Sequence, residues 1–586
     1  MKQKVSDYIA DHIAEWGIRD VFTVTGGGAM HMNDAFGHYQ HHEQACAMAA
    51  EAYARMDNRM AAVCVTTGPG ATNAITGVLG GWMDSIPMLV FSGQARYATT
   101  VAASGLKLRS MGVQECNIVP VVTSITKYAQ MIIHPEDIRY HLEKALYMAV
   151  NGRPGPVWLD IPLDVQGSLI DETALVGFTP EPPEQPVLPM AEIAALLKTA
   201  ERPLLLAGNG VKLAGAAGRL VAWAEENRIP MLTSWKTIDL LDFNHPLNFG
   251  CPGIMGMRYS NFIVQNCDLL LVVGSRLDPS LTAFRSEDFG RNARKVMVDV
   301  DAAEIRKVRG IDLAVVADAA VFTDALAGLK LDLPARPEWL EYCRDLKRRY
   351  PVVLDEHRRR RDGVDLYAFT EELFRQLRPD DVIVPESSGA AGEVTYQAMA
   401  VKKGQKIRNA AGLGSMGFGL PYSIGACLAN DRRRTVLING DGAFQMNIQE
   451  LETVVRLKLP VKMFIWDNDG YGSIMNTQRN MFDGFYVGSE PGSGLTLPDV
   501  VKLAAAYGIR AEEVDGNGGL AGAIARTLAG DDPVICKVKI TRSHLTMPRV
   551  QAQKLPDGGM VSKPLEDMWP YLPAGEVARN MIAERV

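Results

Sequence analysis

One stretch constrains this 586-residue chain more than any other: GDGAFQMNIQELETVVRLKLPVKMFIWDNDGYG, residues 440–472. It follows the apolar run 435–438, which reads as a buried strand. Gly440, Asp441 and Gly442 predict a tight turn whose bare backbone lets N–H groups approach an anion closely. An amphipathic helix is expected next, with Ile448, Leu451, Val454 and Val455 on one stripe. A second apolar run, 461–466, reads as another buried strand and ends in Asp467-Asn468-Asp469-Gly470. In a parallel sheet both strands end on one edge, where open α/β sheets bind ligands. Asp441 and Asn468, 468 − 441 = 27 residues apart, then meet across one βαβ unit. A carboxylate, an amide oxygen and a main-chain carbonyl, for which Gly470 is the candidate, make a hard-oxygen set. Such a set suits Mg²⁺, which keeps few protein ligands and completes its shell with phosphate oxygens and water. Gly-Asp-Gly alone is an ordinary turn sequence; the helix, the second strand and the Asn at this spacing give it weight.

Apolar residues make up 47% of the chain and charged ones 22%, the balance of a globular protein. The length is that of about four domains at roughly 150 residues each. A net charge of −7 gives no reason to expect nucleic-acid or anionic-membrane partners. The opening MKQKVSDYIADHIAEWGI reads as an amphipathic helix rather than a signal peptide, because no apolar core follows its lysines. No apolar run approaches the roughly 20 residues that span a bilayer. Eight scattered cysteines without a CxxC pair fit a reducing cytoplasm and buried small hydrophobes.

Along the chain, residues 1–175 alternate apolar β-rich runs (21–24, 61–65, 87–92, 157–160) with helical stretches such as 43–55, a parallel α/β pattern. The proline-dense GFTPEPPEQPVLP, 177–189, reads as an extended linker. A second α/β unit covers 190–335, with strands expected at 204–207, 269–273 and 296–300. Residues 336–365 read as a charged, solvated helical connector. A third α/β unit covers 366–547 and holds the opening stretch, and 548–586, with five prolines, reads as an irregular tail. The expected fold class is α/β, with three doubly wound parallel-sheet domains and a C-terminal tail.

His41-His42-Glu43-Gln44 begins an alanine-rich helix ending AAEAYAR. By itself Glu43 is a first-turn carboxylate favoured by the helix dipole. With Thr66-Thr67-Gly68-Pro69-Gly70-Ala71-Thr72-Asn73 after it, the stretch resembles the pyrimidine-binding domain of thiamine-diphosphate enzymes, and 440–472 resembles their diphosphate-and-magnesium motif. TTGPGATNAITGVLGGWMDSIPMLVFSGQ, Gln114-Glu115, SITK at 124–127, GRPGPVWLDIP at 152–162 and GLGSMGFGLP at 412–421 narrow the resemblance to acetohydroxyacid (acetolactate) synthases. The three domains would then be pyrimidine-binding, central and diphosphate-binding. The resemblance implies that Glu43 hydrogen-bonds the cofactor's aminopyrimidine and sets its reactive tautomer. Met416 would wedge beneath the cofactor, and the Gly414 carbonyl would accept from its amino group. Ser388, Gly389, Ala390, Gly442, Ala443, Tyr471 and Gly472 would meet the diphosphate, and Asp441, Asn468 and Gly470 the Mg²⁺. Gly28, Ala29 and Gln114 would line the reacting centre, and Pro69 and Asn73 would contact the cofactor.

The central domain carries the weaker signal. Ala207-Gly208-Asn209-Gly210 is an incomplete glycine fingerprint. Arg153, Gly208, Gly210, Thr233, Gly274, Arg276, Asp278, Asp299, Val300 and Asp318 fall where the synthases contact a non-redox FAD; related enzymes hold ADP there or nothing. Four departures stand out. Thr477 replaces a Trp of the acceptor pocket, near Ile474. Leu163 replaces a Lys, and Val113 a Phe, at the substrate entrance. The span from Gly28 to Glu43 is about eight residues short, so the strand before Glu43 is nearly absent. The stretches GYGSIMNTQRN and LPDGGMVSKPLEDMWPYLP resemble a subgroup found in bacterial surface-polysaccharide pathways. The expected activity is a carboligase that decarboxylates pyruvate and passes the two-carbon unit to a carbonyl acceptor, such as the ketone of a sugar nucleotide. Acetolactate synthesis from two pyruvates, a decarboxylase, diketone hydrolase or oxidase on the same fold, and a non-catalytic relative are the alternatives. The resemblance also implies a site between two subunits, hence a homodimer or a dimer of dimers.

Overall fold

The computed structural model describes residues 2–36, 40–182, 185–542, 544–556 and 559–582. Gly37, His38 and Tyr39 of the short span before Glu43, Pro183 and Glu184 of the linker, and Asp557 and Gly558 of the tail lie outside the described residues. Three parallel sheets organise the chain. The N-terminal sheet runs Val21–Thr23, Ala61–Val65, Met88–Gln94, Val157–Pro162, Tyr128–Met131 in spatial order. The central sheet runs Leu313–Val316, Arg294–Asp299, Leu269–Val273, Pro203–Ala207, Met231–Thr233. The C-terminal sheet runs Lys406–Ile407, Val382–Pro385, Thr435–Gly440, Val461–Asp467, Val534–Lys539, Arg510–Val514. Helices cover both faces of such sheets, so their inner strands are continuous apolar runs rather than alternating ones.

Two of the sheets contain a switch in strand order, and those switches place the functional crevices. From Val382–Pro385 the chain goes to one side, Lys406–Ile407, and then crosses to Thr435–Gly440 on the other. A crevice therefore opens beyond the carboxyl ends of Val382–Pro385 and Thr435–Gly440. In the central sheet the same reversal opens a crevice beyond Pro203–Ala207 and Leu269–Val273.

The N- and C-terminal sheets share one core. Helix Glu43–Asp57 buries Cys46, Ala47, Ala49, Ala50 and Ala52, which contribute with Leu420, Ile424 and Ala426 of helix Gly419–Ala429 to one apolar cluster. The alanines and Gly425 permit the close approach: a Cβ on Gly425 would sit 1.9 Å from the Ala49 carbonyl oxygen.

Three expectations need correction. The solvated connector is in fact packed: helix Pro337–Arg349 buries Trp339, Leu340, Cys343 and Leu346 against the central and C-terminal core. Its charged pattern reflects only the outer face. The tail is ordered, not irregular. Arg549–Val550 pairs with Met568–Trp569, Ala552–Lys554 pairs with Met560–Ser562, and helix Ala574–Asn580 follows. Glu566 and Asn580 tie it to the central domain through Arg291 at 2.7 Å and Asn266 at 2.9 Å. The expected helix after Asp441 is three pieces: Asp441–Phe444, a 3-10 segment Gln445–Glu450 with non-helical Asn447, and Leu451–Arg456. All eight cysteines are unpaired, and all but Cys116 are buried. Among the described residues no helix is long and apolar enough to cross a membrane.

Candidate active site

The metal end forms where strands Thr435–Gly440 and Val461–Asp467 stop side by side. Buried Asp441 accepts backbone N–H groups from Gly442 at 2.8 Å, Asn468 at 3.1 Å and Gly470 at 3.3 Å. The bonds from Asn468 and Gly470 fix the carboxylate on the turn that follows the second strand. The Asn468 amide lies 3.2 Å from Asp441 Oδ1 and 2.8 Å from the Gly470 carbonyl and, with its nitrogen turned toward them, donates to both. With its oxygen turned inward instead, it would complete with Asp441 and the Gly470 carbonyl an all-oxygen set of the kind a hard cation takes. Burial first, and Asp467 next, push the Asp441 carboxyl up to about 7; a bound cation acts in the opposite direction. Among the described residues no group of three His, Cys, Asp or Glu side chains forms a softer or more anionic site. The residues thus fit Mg²⁺.

The diphosphate end is a cradle of helix starts. Helices Ala390–Ala398, Asp441–Phe444 and Gly472–Met481 begin at this crevice without side-chain caps, which leaves N–H groups for an anion. A Cβ on Gly389 (φ 70°) would lie 3.3 Å from Ser473 Oγ, so the first and third starts adjoin. A Cβ on Gly442 would lie 2.4 Å from the Tyr471 ring, so only glycine fits beneath that ring. Ser388 and Ala390 flank Gly389, and Ala443 is buried at the second start. Gly414 takes a left-handed conformation (φ 66°), and Met416 two residues on is half-buried. Glu386, which the sequence does not reveal, underlies the Ser387–Gly389 turn and the end of the loop that carries Gly414 and Met416. Fully buried, it accepts N–H groups from Ser387 at 2.9 Å and Gly419 at 3.0 Å, and it lies beside Asn439. Burial raises its carboxyl to about 7.

The N-terminal domain supplies the other half. Glu43 is the first residue of helix Glu43–Asp57, and its Oε2 accepts from Asn73 Nδ2 at 3.1 Å. A Cβ on Gly70 would lie 3.5 Å from Glu43 Oε1. Pro69 starts helix Pro69–Asp84, where its missing N–H costs nothing. Gly28 donates to Thr66 Oγ1 at 3.0 Å and accepts from Gln166 Nε2 at 2.8 Å, with Ala29 buried behind it. Gln114 is held left-handed (φ 63°); its carbonyl accepts from Thr67 Oγ1 at 3.0 Å and abuts bare Gly68, leaving its side chain exposed. Val113 is 92% exposed and Leu163 half-buried on this domain. Ile474 and Thr477 are exposed on helix Gly472–Met481 of the other. The structure thus assembles two half-sites, Glu43 with Gly70 and Asn73, and Asp441 with Asn468, Gly470, Gly442 and Tyr471.

A cavity of about 600 Å³ occupies the central crevice. Arg153, Gly210, Gly274, Arg276, Asp278, Asp299, Val300 and Asp318 line it, whereas Gly208 and Thr233 pack behind its wall. A Cβ on Gly208 would lie 2.3 Å from the Gly274 carbonyl oxygen, so glycine here serves the close packing of two strand ends. Arg153 pairs with Asp301 at 3.1 Å and Glu304 at 2.6 Å. Asp84, Lys236, Ala411 and Gly412 complete one side, so the cavity reaches the loop that carries Gly414 and Met416. Asp84 and Lys236 were invisible in the sequence because their pairing crosses domains.

Three family models match the chain, one in each sheet region: thiamine pyrophosphate enzyme, N-terminal TPP-binding domain over 3–121, central domain over 190–326, and C-terminal TPP-binding domain over 388–538. Fold and site therefore define a three-domain thiamine pyrophosphate enzyme. The acetolactate synthase large subunit of Parasynechococcus marenigrum is 32% identical over 577 residues, covering 93% of this chain and 89% of that protein. The acetolactate synthase isozyme 2 large subunit of Escherichia coli K12 is 30% identical over 593 residues, covering 98% and 99%. The probable acetolactate synthase large subunit of Methanocaldococcus jannaschii is 33% identical over 519 residues, covering 85% of each. The chain belongs to the acetolactate synthase-like family of thiamine-diphosphate-dependent enzymes.

Proposed function

We propose that this enzyme decarboxylates pyruvate and transfers the two-carbon unit to a ketone larger than a free 2-keto acid, with a keto-sugar nucleotide as the best-fitting acceptor. The observation that carries this reading is the open acceptor face. Exposed Thr477 and Ile474 stand beside the diphosphate cradle where a Trp-bearing wall is expected, and Val113 is almost wholly exposed where a Phe is expected. When bound, thiamine diphosphate supplies the nucleophilic carbon for releasing CO₂ and forming the new carbon–carbon bond. Glu43 would hold the proton shared with the pyrimidine ring. Asp441, Asn468 and the Gly470 carbonyl would hold Mg²⁺, and the N–H groups at Gly389–Ala390, Gly442–Ala443 and Gly472 would take the diphosphate oxygens. Gln114, Gly28 and Ala29 would face the reacting centre, with Pro69 and Asn73 at its edge and Gly414 and Met416 beneath the cofactor. Pyruvate as its own acceptor is the second reading, favoured by the names of the relatives.

The two half-sites support a two-fold homodimer, with a dimer of dimers as the larger assembly and the cytoplasm as its place. FAD is the proposed occupant of the central cavity. The cavity lies at a switch in strand order, Asp299 ends the strand beside it as a ribose-binding carboxylate would, and Arg276 reaches its wall. A yellow purified protein supports FAD, and a colourless one speaks for ADP or no nucleotide. The deciding experiment supplies pyruvate, thiamine diphosphate and Mg²⁺ with a panel of ketones that includes 4-keto sugar nucleotides, and identifies the products. Branched sugar products are expected. Acetolactate as the fast product in their presence moves the assignment to the second reading, and acetaldehyde alone removes both.

A further inference from the structure

Glu43 has an unusual approach. The sheet edge before it is the three-residue strand Val21–Thr23, and the described residues between Ala35 and Glu43 form no strand. Among the described residues of this approach, the Gln40 N–H continues the ladder, donating to the Thr23 carbonyl at 2.8 Å. The backbone of His41 and His42, which aims helix Glu43–Asp57, therefore needs acceptors from elsewhere. Glu450 supplies them. It belongs to the C-terminal domain, lies 409 residues away in sequence and is fully buried. Its Oε1 accepts the His41 N–H at 3.2 Å, and the His42 N–H also faces its carboxylate. Its Oε2 accepts from Thr453 Oγ1 at 2.7 Å, which fixes the carboxylate itself.

A second tie runs parallel. Asn447 Nδ2 donates to Gln44 Oε1 at 3.2 Å and to the Gly417 carbonyl at 2.9 Å. It thereby joins the residue after Glu43 to the residue after Met416. Both ties come from the segment Gln445–Glu450, where non-helical Asn447 (φ −138°, ψ 34°) kinks the chain and Asn447 and Glu450 reach the two residues that flank Glu43 and its helix start, Gln44 and His41.

We propose that Glu450 is a positioning residue for Glu43, holding the backbone that leads into its helix. A carboxylate that reads backbone N–H groups sets the helix start whatever the side chains of His41 and His42 do. Catalytic placement is sensitive at this scale, with displacements of about 1 Å costing on the order of 100-fold in rate. The inference rests on Glu43 acting on the cofactor's pyrimidine, as proposed above.

The test compares wild type, E450A, E450Q and E43Q. Peptide-level amide exchange of the cofactor-free protein over residues 40–46 should lose protection in E450A, and partly in E450Q, which retains one acceptor. Hydrogen–deuterium exchange at C2 of bound thiamine diphosphate should fall at least tenfold in E450A, while cofactor and Mg²⁺ affinities stay within threefold. Unchanged protection at 40–46, or C2 exchange within twofold of wild type, overturns the proposal. So does a loss of Mg²⁺ affinity in step with C2 exchange, which marks general collapse of the site. Should E450A fail to fold, E450Q is judged by the same criteria. Normal C2 exchange in E43Q removes the assigned role of Glu43; impaired exchange in E43Q with normal E450A removes only the role of Glu450.

Discussion

Gly442 meets the Tyr471 ring so closely that the two residues are one design. A Gly442→Ala methyl would collide with the ring at 2.4–2.5 Å, and the ring can yield only by leaving the start of helix Gly472–Met481. Gly442→Ala should therefore weaken thiamine-diphosphate binding by tenfold or more, measured by fluorescence titration, and adding Tyr471→Ala should recover much of the loss. If the second change makes binding worse, contact with the ring is not the cause. Glu386 makes a pH prediction. Burial lifts its carboxyl from the ordinary 4.5 to about 7 in the folded chain. A raised folded value means its contribution is fully present below pH 4.5 and lost as the pH rises through 7. Relative to wild type, cofactor-free Glu386→Gln should thus gain thermal stability steadily between pH 4.5 and 7 and no further above it. A Tm difference that is flat over that window would show that Glu386 keeps its ordinary value. Neither residue pair is visible as a pattern. Gly442 is legible as part of a glycine turn, but Tyr471 above it and Glu386 below it depend on how three loops fold back together.

At the level of elements, legibility followed burial. The runs at 61–65 and 269–273 form strands Ala61–Val65 and Leu269–Val273 over the same residues, because each is a short continuous apolar run inside a sheet covered on both faces. The stripe Ile448, Leu451, Val454, Val455 was read as one helix, yet the chain breaks at Asn447. Leu451 and Val454 are buried either way, so the apolar spacing does not distinguish a continuous helix from a 3-10 turn followed by one. What selects the turn is contact with His41 and Gln44, which local spacing does not encode. The pairing of helices Glu43–Asp57 and Gly419–Ala429 carries its own prediction. A methyl on Gly425 meets the backbone of Ala49 at 1.9 Å, and backbone cannot change rotamer. Gly425→Ala should cost about 1–3 kcal/mol and lower the thermal inactivation temperature. Gly530→Ala, with open space around it but a left-handed φ of 66°, serves as a control for backbone strain alone.

On the scale of the whole molecule, a buried network of charged side chains joins all three domains. Arg55 bridges Glu51 at 2.8 Å and Asp84 at 2.6 Å in the N-terminal domain. Asp84 also pairs with Lys236 of the central domain. Asp239 of the same domain pairs with Lys212 and, at 2.6 Å, with Arg408 of the C-terminal domain. Arg408 in turn donates to the Arg55 and Met56 carbonyls at 3.2 and 3.3 Å. Asp239→Ala would leave two buried cations facing each other and should destabilise the fold by about 3–5 kcal/mol, seen as a lower midpoint in chemical denaturation. A loss below 1 kcal/mol would mean that water reaches the junction. Asp84 also sits under Gly412, where a Cβ would meet its Oδ1 at 1.9 Å, so the network touches the loop that runs on to Met416. The three domains share one α/β pattern, yet they are not interchangeable parts. A chimera that takes its central domain from a relative must also inherit a matching partner for Lys236 from the N-terminal domain and one for Asp239 from the C-terminal domain. Recombination at the linkers alone, where sequence would place the cuts, would therefore strand ionised groups in the interior.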